Sequence, residues 1–545
     1  MPASHGFDQT PHQLSRSPLL GAGSGTSSSF NSPAAGTHTA RMPVMLSPPA
    51  EHESLSGLDE GLLAAVVAGA ARLTPEQAVQ IYHKMPLMQL GRWADARARH
   101  IHGDSVRTYV IDRNINYTNV CNARCTFCAF RRDGDEHDAY TLTHEQILTK
   151  VGELVAIGGS QILMQGGMNP ALPLNWYEEL LSSIKQRYPQ VHIHAFSPPE
   201  MIEFVHFFNP PGADLAAKIR WVLTRLKKAG LASLPGGGGE VFAGSVRRKI
   251  GLGKCDAAAW LTTMAVAHEL GMFTSATMMF GHIEGYADRV HHMLMVRRAQ
   301  DWAVYGEAKN APFPLFERDE QTEGKAGARG HYVSFIAWPF QRENTPLGRV
   351  PDWGADPAEL ALEFPGDAVA RAYDFGRSGE IDYKALDAGE YPTANLFGRR
   401  VRQSGSTDYL RTQALSRLFL DNIYSIGASW VTMGPHIGQV ALNYGATDMG
   451  SVMMEENVVS SAGTTYCLDE PVICRLIREA GFVPAQRDNT YDIVKLHGAS
   501  PAAPDLAVTD WSKHRARTMH QQAPKNAGNA TGAPAEARVE LTIQK

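Results

Sequence analysis

Cys121-Asn-Ala-Arg-Cys125-Thr-Phe-Cys128 has the spacing CxxxCxxC. Three thiolates in one loop suit a cubic [4Fe–4S] cluster and leave its fourth iron without a protein ligand, open to a small molecule. A structural zinc ion asks for a fourth ligand of its own. His137 is near but badly spaced, and the next cysteine, Cys255, lies far along the chain. The open iron–sulfur site is therefore preferred to zinc or a disulfide. Cys255, Cys467 and Cys474, the rest of the six cysteines, share no motif and read as packing residues.

Other residues of chemical interest follow strand-like runs. Gly166 and Gly167 let backbone approach a ligand closely, although a tight strand-to-helix turn is the plainer reading. Gly236–Gly239 lacks the Lys-Ser/Thr end of a phosphate-binding Walker loop and reads as a flexible turn presenting Glu240. His192 and His194 share one face of a strand, where they can donate to a substrate, shuttle a proton or serve as core histidines. His282 with Glu284, and Glu455 with Glu456, come just after strands; a loop salt bridge and a solvated pair are their bland alternatives. Asn116 and Thr118 alternate with apolar neighbours, and Arg113 suits a carboxylate by bidentate bonding.

These residues need a scaffold that brings strand ends together. Eight strands are expected: Tyr109–Thr118, Gln161–Gln165, Val191–Phe196, Leu231–Leu234, Phe273–Phe280, Tyr332–Trp338, Ser425–Val431 and Thr447–Met453. Several are nearly all apolar, as strands covered on both faces are. Helices alternate with them: Thr143-His-Glu-Gln146 is a capping box, Gly271 ends a helix through Trp260 and Met264, and Asp469 caps a last one. Leu62, Leu63, Val66 and Val67, then Thr74-Pro-Glu-Gln77, mark helices ahead of the first strand. The pattern predicts an α/β protein with a (β/α)8 TIM-type barrel, active at the loops after its strands.

The 545 residues exceed the roughly 250 of a plain barrel but suit one with insertions. The expected organisation is a disordered tail over 1–55, helices over 56–104, the barrel over 105–492 with surface insertions at about 299–330 and 349–406, and a largely disordered tail over 493–545. The hydrophobic fraction of 43% supports a large core, and a net charge of −5 argues against a nucleic-acid surface or a polybasic membrane patch. Gly61–Ala71, the most apolar run, is far shorter than the about 20 residues that span a bilayer. No secretory signal is legible, and a cytoplasmic protein is expected.

CxxxCxxC after the first strand resembles the signature of the radical S-adenosylmethionine (SAM) superfamily. Asn114-Ile-Asn-Tyr-Thr-Asn-Val120, Gln161-Ile-Leu-Met-Gln-Gly-Gly167, His192-Ile-His-Ala-Phe-Ser-Pro-Pro-Glu200, Leu234-Pro-Gly-Gly-Gly-Gly-Glu240, Thr277-Met-Met-Phe-Gly-His282, Trp338-Pro-Phe-Gln341, Ala428-Ser-Trp-Val431 and Glu455-Glu-Asn-Val458 extend the likeness. In order, they resemble the cyclic dehypoxanthinyl futalosine synthase family of menaquinone biosynthesis, over about Leu73–Asp492. The resemblance implies a [4Fe–4S] cluster on Cys121, Cys125 and Cys128, SAM on its open iron, and a reducing donor such as flavodoxin or ferredoxin. It implies Phe127 near the adenine, the SAM amino group at Gly166 and Gly167, and Glu240 and Ser197 toward SAM, Ser197 at a ribose hydroxyl. Arg113, Asn116 and Gln165 are assigned to substrate, and His194, His282 and Glu284 to catalysis as candidate bases. In the family, a 5′-deoxyadenosyl radical takes hydrogen from the ribose C4′ of dehypoxanthine futalosine, and the carbon radical closes onto the benzoate ring.

Two sibling families, aminofutalosine synthase and the deazaflavin-forming synthase of coenzyme F420 assembly, share much of this set. The first tends to carry Lys and Thr-Ala-Val-Glu where this chain has His194 and Ser197-Pro-Pro-Glu200. Departures from the pattern are Asn122 and Ala123, often bulkier, Gly239 where Ala is usual, and the two insertions. A non-catalytic iron–sulfur carrier is the rival from another class; it needs neither the paired glycines nor a long barrel.

Overall fold

The computed structural model describes residues 58–103, 105–305, 330–350, 401–464 and 466–498. The expected tail over 1–55, residues 499–545 of the expected tail over 493–545, and most of both expected insertions lie outside the described residues.

Three helices come first. Asp59 accepts from Leu62 N to cap Glu60–Val67. Thr74 and Gln77 form a capping box, with Pro75 in the first turn, to start Pro75–Lys84. Leu87–His102 then packs on the helix Ser406–Phe419, and Pro75–Lys84 packs on Tyr286–Tyr305. Buried contacts stitch them to the main body: the Arg72 guanidinium binds both Asp301 and Asp421, and Tyr82 stacks on Tyr286 with ring centroids 4.4 Å apart.

In chain order the described strands are β1 (Val106–Val110), β2 (Asp112–Ile115), β3 (Arg124–Cys125), β4 (Gln161–Met164), β5 (His192–Ala195), β6 (Ser233–Leu234), β7 (Gly251–Leu252), β8 (Phe273–Phe280), β9 (Tyr332–Pro339), β10 (Ser425–Gly427), β11 (Asp448–Ser451), β12 (Val483–Arg487) and β13 (Ile493–Leu496). β1 and β2 are two halves of one strand bent at Ile111. β2 pairs with β4, and parallel neighbours follow through β5, β6, β8, β9, β10 and β11, which returns to β1. The parallel sheet therefore curls round and meets itself across the bend, giving the expected barrel. β12 adds in parallel to the free side of β1, and β13 runs antiparallel to β12, so the whole sheet has 11 strands.

The strand boundaries shift for local reasons. The first expected strand begins earlier, at Val106, and its far end, beyond Ile115, is loop. The strand expected over Ser425–Val431 stops at Gly427, because Trp430–Met433 turns into a short helix. Tyr286–Tyr305 runs helically into the segment expected as the first insertion. β13 lies where the C-terminal tail was expected, and all four of its residues are exposed, so no hydrophobic alternation announces it.

Outside, the sheet is sealed by apolar helix faces: Ile147, Val151 and Leu154 on one helix, Tyr177, Leu180, Leu181 and Ile184 on the next. Inside, it is polar. Asp112, Asn114 and Asn116 alternate along the first strand and meet, in turn, Gln161 with Ser451, Glu456, and Asn457. Arg113, between them, points the other way, to Glu153 on the outer helix His144–Ala156. The lumens of most such barrels are filled by Val, Ile and Leu; amides, hydroxyls and carboxyl groups line the inner face here. Among the described residues no helix is long and apolar enough to cross a membrane.

Candidate active site

The cysteine loop leaves the top of β2 and is pinned on several sides. Cys121 N donates to Arg132 O (3.1 Å), Asn122 N to Met168 O (3.1 Å) and Thr126 N to Ile250 O (2.8 Å), while Leu347 N donates to Thr126 O (2.8 Å). β3, which contains Cys125, pairs antiparallel with β7. Cys121, Cys125 and Cys128 are all unbridged and partly exposed. Burial pushes the Cys121 and Cys125 thiols up, Cys125 to about 12, so their thiolate forms need a positive centre beside them. Iron supplies one. Among the described residues, no three His, Cys, Asp or Glu side chains converge on a single ion. A cubic cluster does not ask for that, since each thiolate takes a different iron. The donor set fits the cluster.

Beside the cysteines stands Lys254, half-buried, with Nζ 5.0 Å from the centroid of the Phe127 ring and 2.5 Å from Glu240 Oε1. Against the cost of burial, the Lys254 ammonium holds the Glu240 carboxyl below the usual range. Glu240 Oε2 is buried with no hydrogen-bond partner, an acceptor facing this cluster of residues with nothing yet to accept. The glycine turn that carries Glu240 is held firmly rather than flexibly as expected: Arg247 donates to Gly238 O and Gly239 O, and Trp260 Nε1 donates to Gly237 O.

Gly166 and Gly167 lie directly under the cysteine loop. A Cβ on Gly166 would stand 2.6 Å from the Tyr117 ring, and one on Gly167 2.2 Å from Val120 O, so only glycine fits either place. Glu200 organises the turn. Its Oε1 accepts from Gly166 N (3.1 Å) and Tyr117 Oη (2.7 Å), and its Oε2 from Ser197 N and Oγ (2.7 Å each). The Ser197 hydroxyl is thus already donating within the protein. Glu200→Ala would strand three buried donors and one partly buried one; a loss of about 3 kcal/mol is expected, and Glu200→Gln should lose less than half of that. Equilibrium urea unfolding compares the two; equal losses would show that both acceptor oxygens are needed and that the side-chain volume kept by Gln counts for nothing.

The remaining expected residues separate into two groups. His194 and Gln165 line the lumen: His194 Nδ1 lies 2.6 Å from Ser233 Oγ, and the Gln165 amide abuts Gly237. Asn116 donates to Gln165 O and receives from Asn457. Arg113, by contrast, is held by Glu455 (2.8 Å), Glu153 and Lys150 O, and Lys150 also pairs with Glu455. Against burial, those two cations hold the Glu455 carboxyl low, while burial raises that of Glu456. His282 and Glu284 are fully buried and committed to each other, with His282 Nδ1 3.0 Å from Glu284 Oε2. Glu284 also binds Gly281 N and Arg289, which reaches Asp408. Sequence reasoning missed Tyr117, Lys254, Ser233 and Asn489. Tyr117 and Glu200 stand inside motifs that carry the resemblance but were given no role of their own, and no local motif marks Lys254, Ser233 or Asn489.

Two family models match the chain: that of the radical SAM superfamily over residues 115–296, and that of the CofH/MqnC C-terminal region over residues 394–499. The chain is 35% identical over 444 residues to the cyclic dehypoxanthine futalosine synthase of Halalkalibacterium halodurans, covering 82% of this chain and 97% of that one. It is 32% identical to the 5-amino-6-(D-ribitylamino)uracil–L-tyrosine 4-hydroxyphenyl transferase of Methanopyrus kandleri (81% and 95% covered). It is 30% identical to the aminodeoxyfutalosine synthase of Thermus thermophilus (80% and 95%).

Proposed function

The chain belongs to the radical SAM superfamily, in the family its cyclic dehypoxanthine futalosine synthase relatives represent, and from that premise we propose that it converts dehypoxanthine futalosine to cyclic dehypoxanthinyl futalosine in menaquinone biosynthesis. The observation that carries this reading is the polar lumen beneath the cysteine loop, where Asn116, Gln165 and His194 offer hydrogen bonds to a ribosyl substrate. The 35% identity to a relative of that name supports the substrate.

Cys121, Cys125 and Cys128 hold the cluster; the Gly166–Gly167 turn, Glu240 and Phe127 hold SAM. When bound, the pair supplies one-electron chemistry that removes a hydrogen atom from the substrate, with reducing equivalents from a low-potential carrier such as flavodoxin or ferredoxin. The chain's own residues position and shield. Asn116 and Gln165 fix the ribose, and the closed barrel keeps water from the reacting carbon. Of the three residues assigned to catalysis, His194 lies in the lumen, while His282 and Glu284, locked with Arg289, brace the loop after β8. The substrate's net change is the loss of two hydrogens, one from ribose C4′ and one from the benzoate ring.

Dehypoxanthine futalosine deuterated at C4′ tests the reading. Incubated anaerobically with reconstituted enzyme, SAM and reductant, it should place one deuterium in 5′-deoxyadenosine and give a product two mass units below unlabelled substrate. Intact substrate with adenosyl carbon built into the product of an enol ether would assign the chain to the aminofutalosine siblings instead.

A further inference from the structure

The turn between β12 and β13 crosses beneath the lumen. Arg487 grips Asp448 with two bonds (2.6 and 2.9 Å) and lies 3.9 Å over the Tyr491 ring, which fixes the turn in place. So held, Asn489 reaches β5 and β6 from below. Its Nδ2 is 2.8 Å from His192 Nε2 and 3.0 Å from Ser233 Oγ. Ser233 Oγ is in turn 2.7 Å from His192 Nε2 and 2.6 Å from His194 Nδ1.

One assignment of the protons gives each donor an acceptor of its own. The amide nitrogen has two N–H groups and accepts nothing, so it gives one proton to His192 Nε2 and one to the Ser233 oxygen. With the His192 Nε2 lone pair taken, the single hydroxyl proton of Ser233 goes to His194 Nδ1. Burial depresses both rings, His192 to about 4 and His194 to about 3, so each is neutral near pH 7 and carries one N–H. For His194 that N–H sits on Nε2, an atom engaged by no hydrogen bond among the described residues.

We propose that Asn489, acting through Ser233, is a positioning residue that locks His194 as its Nε2–H tautomer, so that His194 offers the substrate a hydrogen-bond donor and not a base. The occupant of that donor is an acceptor oxygen of the substrate. This last part rests on the function proposed above; the tautomer does not.

Nitrogen NMR of the full chain labelled in its histidine rings reads the tautomer directly, with the His194 signals identified by their loss in His194→Gln. The native protein should show Nε2 protonated and Nδ1 bare for His194, and the reverse for His192. Asn489→Asp makes the sharper test. A carboxylate only accepts, so it draws the Ser233 proton downward, and His194 should invert to Nδ1–H. Ser233→Ala should leave His194 without a single tautomer. Both variants should lower kcat about tenfold, since a donor is lost at the substrate, with a smaller change in KM. A native His194 protonated on Nδ1, or a tautomer unmoved in both variants, overturns the proposal. Failure of the deuterated substrate to react would sink the substrate assignment while leaving the tautomer measurement standing.

Discussion

Replacing Cys121, Cys125 or Cys128 singly by Ser is expected to remove the iron–sulfur cluster and to reduce SAM cleavage to background. No substitute ligand is at hand: His137 is almost fully exposed and faces Asp138, and Cys255 sits behind Arg247. The nearest charged groups, Lys254 and Glu240, already neutralise each other. A hydroxyl in place of a thiol is a harder, more basic ligand that suits iron–sulfur chemistry poorly. Iron and sulfide analysis of anaerobically reconstituted variants, together with 5′-deoxyadenosine release, checks this. Full cluster content in any one variant would remove that cysteine from the ligand set. Cys467 and Cys474 are buried outside the cysteine loop, where Cys474 Sγ lies 3.6 Å from His497 Nε2, and Cys467→Ala and Cys474→Ala should keep the cluster.

The second large effect is on acid stability. Burial pushes the rings of His83, His102, His194, His268 and His292 down to about 3 and that of His192 to about 4. Unfolded, the same rings take up protons near pH 6.5. Below that value the unfolded chain binds more protons than the folded one, so stability falls as pH falls, down to the folded values near 3 to 4. Each ring contributes at most about 1.4 kcal/mol per pH unit. Asp112, pushed up to about 6 by burial, acts in the opposite sense between about 6 and 4, as do Glu200, Glu456 and Asp301, which burial also raises. Between pH 6.5 and 5 the rings outnumber them, because unfolded carboxyls hardly titrate there and only those raised furthest gain protons in the folded state. The melting temperature should drop steeply from pH 7 to 5. A flat profile over that interval would mean that the rings are hydrated in solution.

Much of the barrel was legible because its strands are apolar runs closed by polar ends. Phe273–Phe280 and Tyr332–Trp338 were placed almost to the residue. β12 was not, since Val-Pro-Ala-Gln-Arg shows neither alternation nor a run of β-branched residues. The cysteines and the paired glycines carry their chemistry in local spacing, so they could be read from sequence. Arg113 shows where such reading stops. An arginine beside a site suits a substrate carboxylate, yet only the fold reveals that Glu455 and Glu153, far apart in sequence, hold it. Lys254 and Asn489 stand in short polar turns and gain meaning only from what packs against them.

The anchoring of the cysteine loop also has a bearing on assembly. Thr126 bonds to Ile250, 124 positions along the chain, and Leu347 closes on the same residue from further still. A zinc-finger peptide orders around its metal because all its ligands and contacts are local. Here the three thiols are local but their frame is not, and contacts of such sequence separation form only as the loops between them close. A short peptide cut from around Cys121–Cys128 therefore lacks the frame that orders these thiols, and the loop takes its shape only once Ile250 and Leu347 are in place.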